Sequence, residues 1–152
     1  MDDGALLELS TALGAALQMC GAETYRVEES VTRLLVAYGV KGEVFAIPNC
    51  LIVSIEKADG TPLTRIQRSG GGGTDLDRLE QYNNLNRVLC ANTPPVSQAL
   101  EMLRETGRRT RSYRMPAKLL THMIGAGAFA FFFRGSFGDG LCAAFCGLAV
   151  GL

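Results

Sequence analysis

From Leu119 to Leu152 the chain carries only two charged side chains, Arg134 and Asp139. An ordinary soluble domain does not run so long without charge, because about a quarter of its residues are charged throughout. The remaining charges are ordered around this segment. Residues 1–103 hold 8 basic and 13 acidic side chains, and residues 104–118 hold Arg104, Arg108, Arg109, Arg111, Arg114 and Lys118 against Glu105. The formal net charge of +0 hides this sequence of acidic, basic and nearly uncharged segments. It also leaves no overall field to draw nucleic acid, so no nucleic-acid partner is expected.

Within the tail, Met115–Phe133 is apolar apart from Lys118 and His122 as its strongly polar members. Arg134–Gly140 interrupts the pattern, and Leu141–Leu152 is apolar to its last residue. A bilayer span takes about 20 apolar residues. The first segment reaches that length if Lys118 snorkels to the interface, and the second stops in mid-helix. A buried hairpin in a soluble core has the same composition, but two features favour a membrane. Six basic residues, Arg104 to Lys118, lie before or at the start of the first segment and Arg134 follows it, the positive-inside pattern with the N-terminal part in the cytoplasm. Ala143, Gly147 and Gly151 also recur at fourfold spacing, as close-packed membrane helices use.

Ahead of the tail the hydrophobic period changes twice. Leu6, Leu9, Leu13, Ala16 and Cys20 recur at helical spacing before Gly21, and Val27, Val31, Leu34, Leu35 and Tyr38 do so before Gly39. The period then drops to two over Val44–Ile47, Leu51–Ile55 and Leu63–Arg68. Pro48-Asn49 and Asp59-Gly60 supply the turns, which predicts a three-stranded antiparallel meander. The helical period returns from Thr74 to about Cys90, and a short helix follows Pro94-Pro95 and ends near Gly107. The Gly70–Gly73 run lacks the Lys-Ser/Thr pair of a phosphate loop and is read as a flexible linker, with Thr74 capping the next helix.

The five cysteines are scattered, without a CxxC pair, and His122 has no ligand spacing to any of them. Neither a disulfide framework nor a metal site is predicted. With no nucleophile–base pair and no phosphate cradle, an enzyme is not expected, nor is a cofactor.

Several segments carry a resemblance. Gly21-Ala22-Glu23-Thr24-Tyr25-Arg26-Val27-Glu28-Glu29 resembles the signature of the threonine/serine exporter family in its N-terminal domain. In the same order follow Pro48 before an apolar strand, Asp59–Ile66 with its Thr64-Arg65, and Gly73–Leu76. Tyr82-Asn83, Leu85–Arg87 and Phe133–Ser136 with Asp139 complete the likeness. Asn49, Asn86 and Arg134 depart from the family pattern, Arg134 standing where a glycine is expected.

The resemblance implies an α+β fold, with helices around a small three-stranded antiparallel sheet followed by two apolar membrane helices, the second truncated. Residues 1–107 are expected to form a cytoplasmic α+β domain, 108–118 a basic juxtamembrane linker, and 119–152 the first membrane helix and the truncated second. The implied function is secondary transport from the inner membrane, exporting small polar metabolites: threonine or serine, and a dicarboxylate in some relatives. Family members continue through further helices, so this chain is expected to be a fragment, a truncated reading frame or half of a split transporter. It would then act with the remaining transporter helices or a partner membrane subunit, and as an oligomer. The alternative is a membrane-anchored module that binds a ligand or partner without transporting.

Asp139 is the first candidate for the substrate or proton path, because an ionisable group beside a membrane helix is costly. It is equally readable as the cap of the second apolar helix. His122, one turn from Lys118, is a candidate proton relay or an interfacial side chain. Gly21, Arg26, Glu28, Thr64, Arg65 and Asn83 match family positions, with gating or purely structural roles; Asn83 is read as a buried amide bonded to backbone.

Overall fold

The computed structural model describes residues 2–70, 72–109 and 114–151. It divides into two compact units, Met1–Thr110 and Arg111–Leu152. The first unit runs α1 (Asp3–Met19), α2 (Thr24–Ala37), β1 (Gly42–Ile47), β2 (Cys50–Glu56), β3 (Pro62–Arg68), α3 (Leu76–Asn92) and α4 (Val96–Arg109). The second is a pair of helices, α5 (Met115–Phe132) and α6 (Phe137–Val150). In chain order the strands thus fall between two helix pairs, in an α+β unit. The linker expected over residues 108–118 falls partly outside the described residues.

α1 is the centre of the first unit. It packs against α2, α3, α4, β2 and β3, and Leu6, Leu9, Leu13 and Leu17 are fully buried or nearly so. Burial extends well beyond the expected stripe, because Ser10 and Thr11 are also enclosed. Their hydroxyls donate back to the Leu6 and Leu7 carbonyls at 2.8 Å, which removes the cost of burying them. α1 and α2 both end in a Schellman turn. Ala22 N–H donates to Leu17 O and Gly21 N–H to Gln18 O; Val40 and Gly39 repeat the pattern on Leu35 and Val36. The residue after each cap must be left-handed, and Gly21 (φ 84) and Gly39 (φ 74) supply it.

The sheet has strand order β1-β2-β3, both pairs antiparallel. Val44, Val53 and Arg65 form one cross-strand row, and Phe45, Ile52 and Ile66 the next. Leu51, Val53 and Ile55 turn inward and are buried; Phe45 and Ile66 turn outward and are exposed. The β2–β3 turn is held by Asp59, whose carboxylate accepts from the Thr61 N–H at 2.8 Å and from its hydroxyl. These two bonds hold the Asp59 carboxyl below the usual range.

Three expectations are corrected. α3 is capped by Asp75, not Thr74, since the Asp75 carboxylate accepts from Arg78 N–H at 3.1 Å. α6 begins at Phe137, so Phe137–Gly140, the second half of the segment read as an interruption, is its first turn. Most important, no helix among the described residues is long and apolar enough to cross a membrane. α5 has 18 residues and α6 has 14, which at a rise of 1.5 Å makes them about 27 and 21 Å long against a hydrocarbon core of about 30 Å. Within α5, Lys118, Thr121 and His122 also interrupt the apolar run.

Candidate functional site

The turn between α5 and α6 is built by two motifs in tandem. α5 closes with a Schellman turn, in which Gly135 N–H donates to Ala130 O at 2.8 Å and Arg134 N–H to Phe131 O at 2.9 Å. Arg134 takes the left-handed position, φ 61, where α1 and α2 use glycine. Ser136 then caps α6 in a capping box. Its hydroxyl accepts from Asp139 N–H at 3.3 Å, and its own N–H and O–H donate to Asp139 Oδ2, each at 2.8 Å. Both orphan donors are satisfied reciprocally, and the carboxylate lies at the positive end of the helix dipole. The left-handed region costs a residue with a β-carbon about 1–2 kcal/mol. Arg134→Gly is therefore expected to stabilise the hairpin by about 1 kcal/mol, read as a rise in the thermal midpoint in detergent. A fall would show that the guanidinium makes a contact worth more than the strain.

α5 and α6 meet through small residues. Gly127, Gly140 and Gly147 are the residues buried between them. A β-carbon on Gly140 would fall 2.6 Å from the Phe131 ring, and one on Gly147 would fall 2.5 Å from His122 O. The outer surfaces of the pair are largely apolar: Ile124, Phe129, Phe132, Phe133, Phe145 and Val150 are each more than 60% exposed. His122 Nδ1 lies 2.8 Å from Lys118 O, which also accepts from the Thr121 hydroxyl at 2.7 Å.

His122 and Asp139 are not brought together. His122 lies level with Gly147, and Asp139 is eight residues earlier in α6, about 12 Å along the axis. Asp139 lines neither of the two grooves that run along the hairpin.

The candidate positions of the first unit are likewise dispersed. Gly21 forms the left-handed turn beside Thr74. Arg26 is exposed in the first turn of α2. Glu28 ties α2 to the sheet by accepting from Ala46 N–H at 2.8 Å. The Thr64 hydroxyl pairs with that of Ser54 across β2–β3 at 2.8 Å, while Arg65, its neighbour in the strand, points to the other face and is exposed. Asn83 is half-buried. The buried amide bonded to backbone is instead Asn86, which donates to Ser30 O at 3.1 Å and joins α3 to α2.

Gln18 was not singled out by sequence pattern, yet it locks the end of α1 to the sheet. Its Nε2 donates to Ile47 O and Cys50 O, and its Oε1 accepts from Ser69 O–H at 2.9 Å. Its only signal is a long amide inside an apolar helix. The thiols of Cys20 and Cys90 are pushed up, chiefly by burial, so neither is an activated nucleophile. Among the described residues no group of His, Cys, Asp and Glu is placed to hold a metal ion.

Comparison with known families adds one finding. The family model described as "Putative threonine/serine exporter" matches residues 8–152. No curated protein matches the chain significantly, and no solved structure does.

Proposed function

The chain belongs to the threonine/serine exporter family, and on that premise we propose that it supplies an α+β unit and a membrane hairpin to a transporter of small polar metabolites. The match over residues 8–152 carries the reading. Export is transport rather than catalysis, and the family's solutes are small hydroxy amino acids; a dicarboxylate is the alternative cargo. The extensive exposed apolar surface of α5 and α6 supports lipid or protein as their surroundings, because so much apolar area has no gain from facing water. The short helices fit a bilayer thinned locally or met by Lys118 and Arg134 reaching to its two surfaces. The basic bias before α5 argues for the α+β unit in the cytoplasm and the hairpin in the inner membrane.

Two helices cannot enclose a path. Transport by alternating access therefore needs further helices, from a partner subunit, the rest of the transporter or other copies in an oligomer. We place Asp139 in the frame of the hairpin, as the capping-box partner of Ser136. The test is efflux of preloaded threonine or serine from cells with and without the transporter. Asp139→Asn is expected to export at near-normal rates, since an amide oxygen at this third position of the capping box can still accept from the Ser136 N–H, while Asp139→Ala loses that bond at a cost of about 1 kcal/mol. Loss of export in Asp139→Asn at unchanged protein level would put the carboxylate charge on the path instead. Equal efflux with and without the transporter, for both amino acids, would remove them as cargo.

A further inference from the structure

The two ends of the α+β unit differ in what they expose. At one end α1 stops, α2 and α3 start, and β1 turns into β2. These pieces are tied together. Asp75 N–H donates to Cys20 O at 3.1 Å, Gln18 Nε2 donates to Ile47 O and Cys50 O, and Glu28 accepts from Ala46 N–H. Large apolar side chains project from this end: Met19 is 49% exposed, Tyr25 63%, Ile47 42% and Leu76 69%. Phe45 and Ile66, one cross-strand row back from Ile47 on the outward face of the sheet, extend the patch. The opposite end exposes Val36 beside Lys41, Glu56, Asp59 and Asn92, and Val88 stands singly on α3.

The chain leaves the unit on the side of the patch. α4 runs back along α3. It starts near Tyr38, which caps α2 at the opposite end and donates to Pro94 O at 2.7 Å. Thirteen residues on, a β-carbon on Gly107 would fall 3.1 Å from the Tyr82 hydroxyl, in the second turn of α3. From Arg109, the last residue of α4, to Met115, the first of α5, six residues of extended chain reach no more than about 21 Å. With α5 in the bilayer, so short a tether holds the patch side of the unit at the bilayer surface. A contiguous exposed apolar patch marks an interaction surface, and tyrosine, with an apolar ring and a polar tip, suits the boundary of lipid and water. Arg26 and Arg68 are exposed at this end, but so are Glu23 and Asp77. Net charge therefore does little here, and the contact is chiefly apolar.

We propose that this end of the α+β unit rests in the headgroup layer of the bilayer, with Met19, Tyr25, Ile47 and Leu76 reaching the acyl boundary and Arg26 and Arg68 among the lipid phosphates. This rests on the membrane reading above.

The test uses the full chain, which has no tryptophan of its own, reconstituted in vesicles of equal parts phosphatidylcholine and phosphatidylglycerol. Three variants each carry one indole at an exposed position: Tyr25→Trp on the patch, Val36→Trp about 16 Å along the same helix, and Phe132→Trp in the hairpin. Lipids brominated near the glycerol quench an indole that touches them, and acrylamide quenches one that faces water. Brominated lipid is expected to quench Tyr25→Trp several-fold more than Val36→Trp, and acrylamide to reverse the order. Ile47→Thr and Leu76→Gln, added together to Tyr25→Trp, should lower its lipid quenching several-fold with circular dichroism unchanged. Lipid quenching of Phe132→Trp with none of Tyr25→Trp, or equal quenching of Tyr25→Trp and Val36→Trp, would overturn the contact and leave the membrane reading standing. Shielding of Tyr25→Trp from both quenchers would also overturn it, by putting protein on the patch. Undiminished quenching in the Ile47→Thr, Leu76→Gln background would overturn the apolar patch as its cause. Absence of lipid quenching from all three indoles would instead defeat the membrane reading itself, and the contact with it.

Discussion

Leu13→Ala is expected to remove about 3–4 kcal/mol from the α+β unit, within the range that buried leucines lose on truncation. Leu13 is 0% exposed, in the helix that the rest of the unit surrounds. The cost has a transfer part and a cavity part, and here the cavity part should be retained nearly in full. α1 cannot settle into the space, because Gly14 already lies close against Leu51 and Val31. Leu9 and Leu17, one turn away on either side, are held by the same surroundings. A domain of this size holds about 5–15 kcal/mol in total, so the variant should lie near the edge of folding. Urea unfolding followed by far-ultraviolet circular dichroism measures the loss. Val36→Ala serves as the control: Val36 is 67% exposed, and its truncation should change stability by no more than about 0.5 kcal/mol. Equal effects at the two positions would mean that α1 is not the packing centre.

The legible parts of this fold are those in which one periodicity governs a whole segment. The alternation over Leu51–Ile55 and Leu63–Arg68, with Asp59-Gly60 between, marks the β2–β3 hairpin because each inward side chain must be apolar and each turn needs its own chemistry. The α1 stripe was legible only in part. Its other faces are filled by Ser10, Thr11, Gly14 and Ala15, which do not register as core residues until back-bonding and close approach hide them. The Gly70–Gly73 run illustrates the same blind spot. It reads as slack, yet a β-carbon on Gly72 would run into the Met19 backbone. That glycine serves contact, which local sequence cannot express.

The candidate site was legible in its chemistry and not in its geometry. Ser136 and Asp139 stand three apart, the spacing of a capping box, and that spacing marks a helix start inside the segment that interrupts the apolar pattern. Asn83 and Asn86 both follow the helical period of α3, and only the packing of α2 decides which amide is buried. Family-like positions such as Glu28 and Thr64 prove to be ties between elements. This is what a motif looks like when it specifies a fold.

The hairpin carries the second large effect. Gly147→Leu should separate α5 from α6 over their distal half, with a destabilisation of about 3 kcal/mol or more, at or beyond the top of the usual range for overpacking. The reason is the nature of the obstacle. A β-carbon at this position would meet His122 O at 2.5 Å, the Ala126 β-carbon at 2.8 Å and the His122 carbonyl carbon at 3.0 Å. Two of these are backbone atoms, which no rotamer change can move, so the helices themselves must part. Gly147→Ala meets the same atoms and should already cost about 1 kcal/mol or more. Gly125→Ala provides the contrast: its β-carbon meets nothing, and alanine is the better helix former by about 1 kcal/mol, so it should be neutral or stabilising. Thermal unfolding in detergent orders the three variants. A disulfide between cysteines introduced at Ala126 and Ala143 (in a background lacking Cys142 and Cys146) reports the helix contact itself. It should form readily with glycine at 147 and poorly with leucine. If Gly147→Leu left both the disulfide yield and the thermal midpoint unchanged, α5 and α6 would not be packed through Gly147.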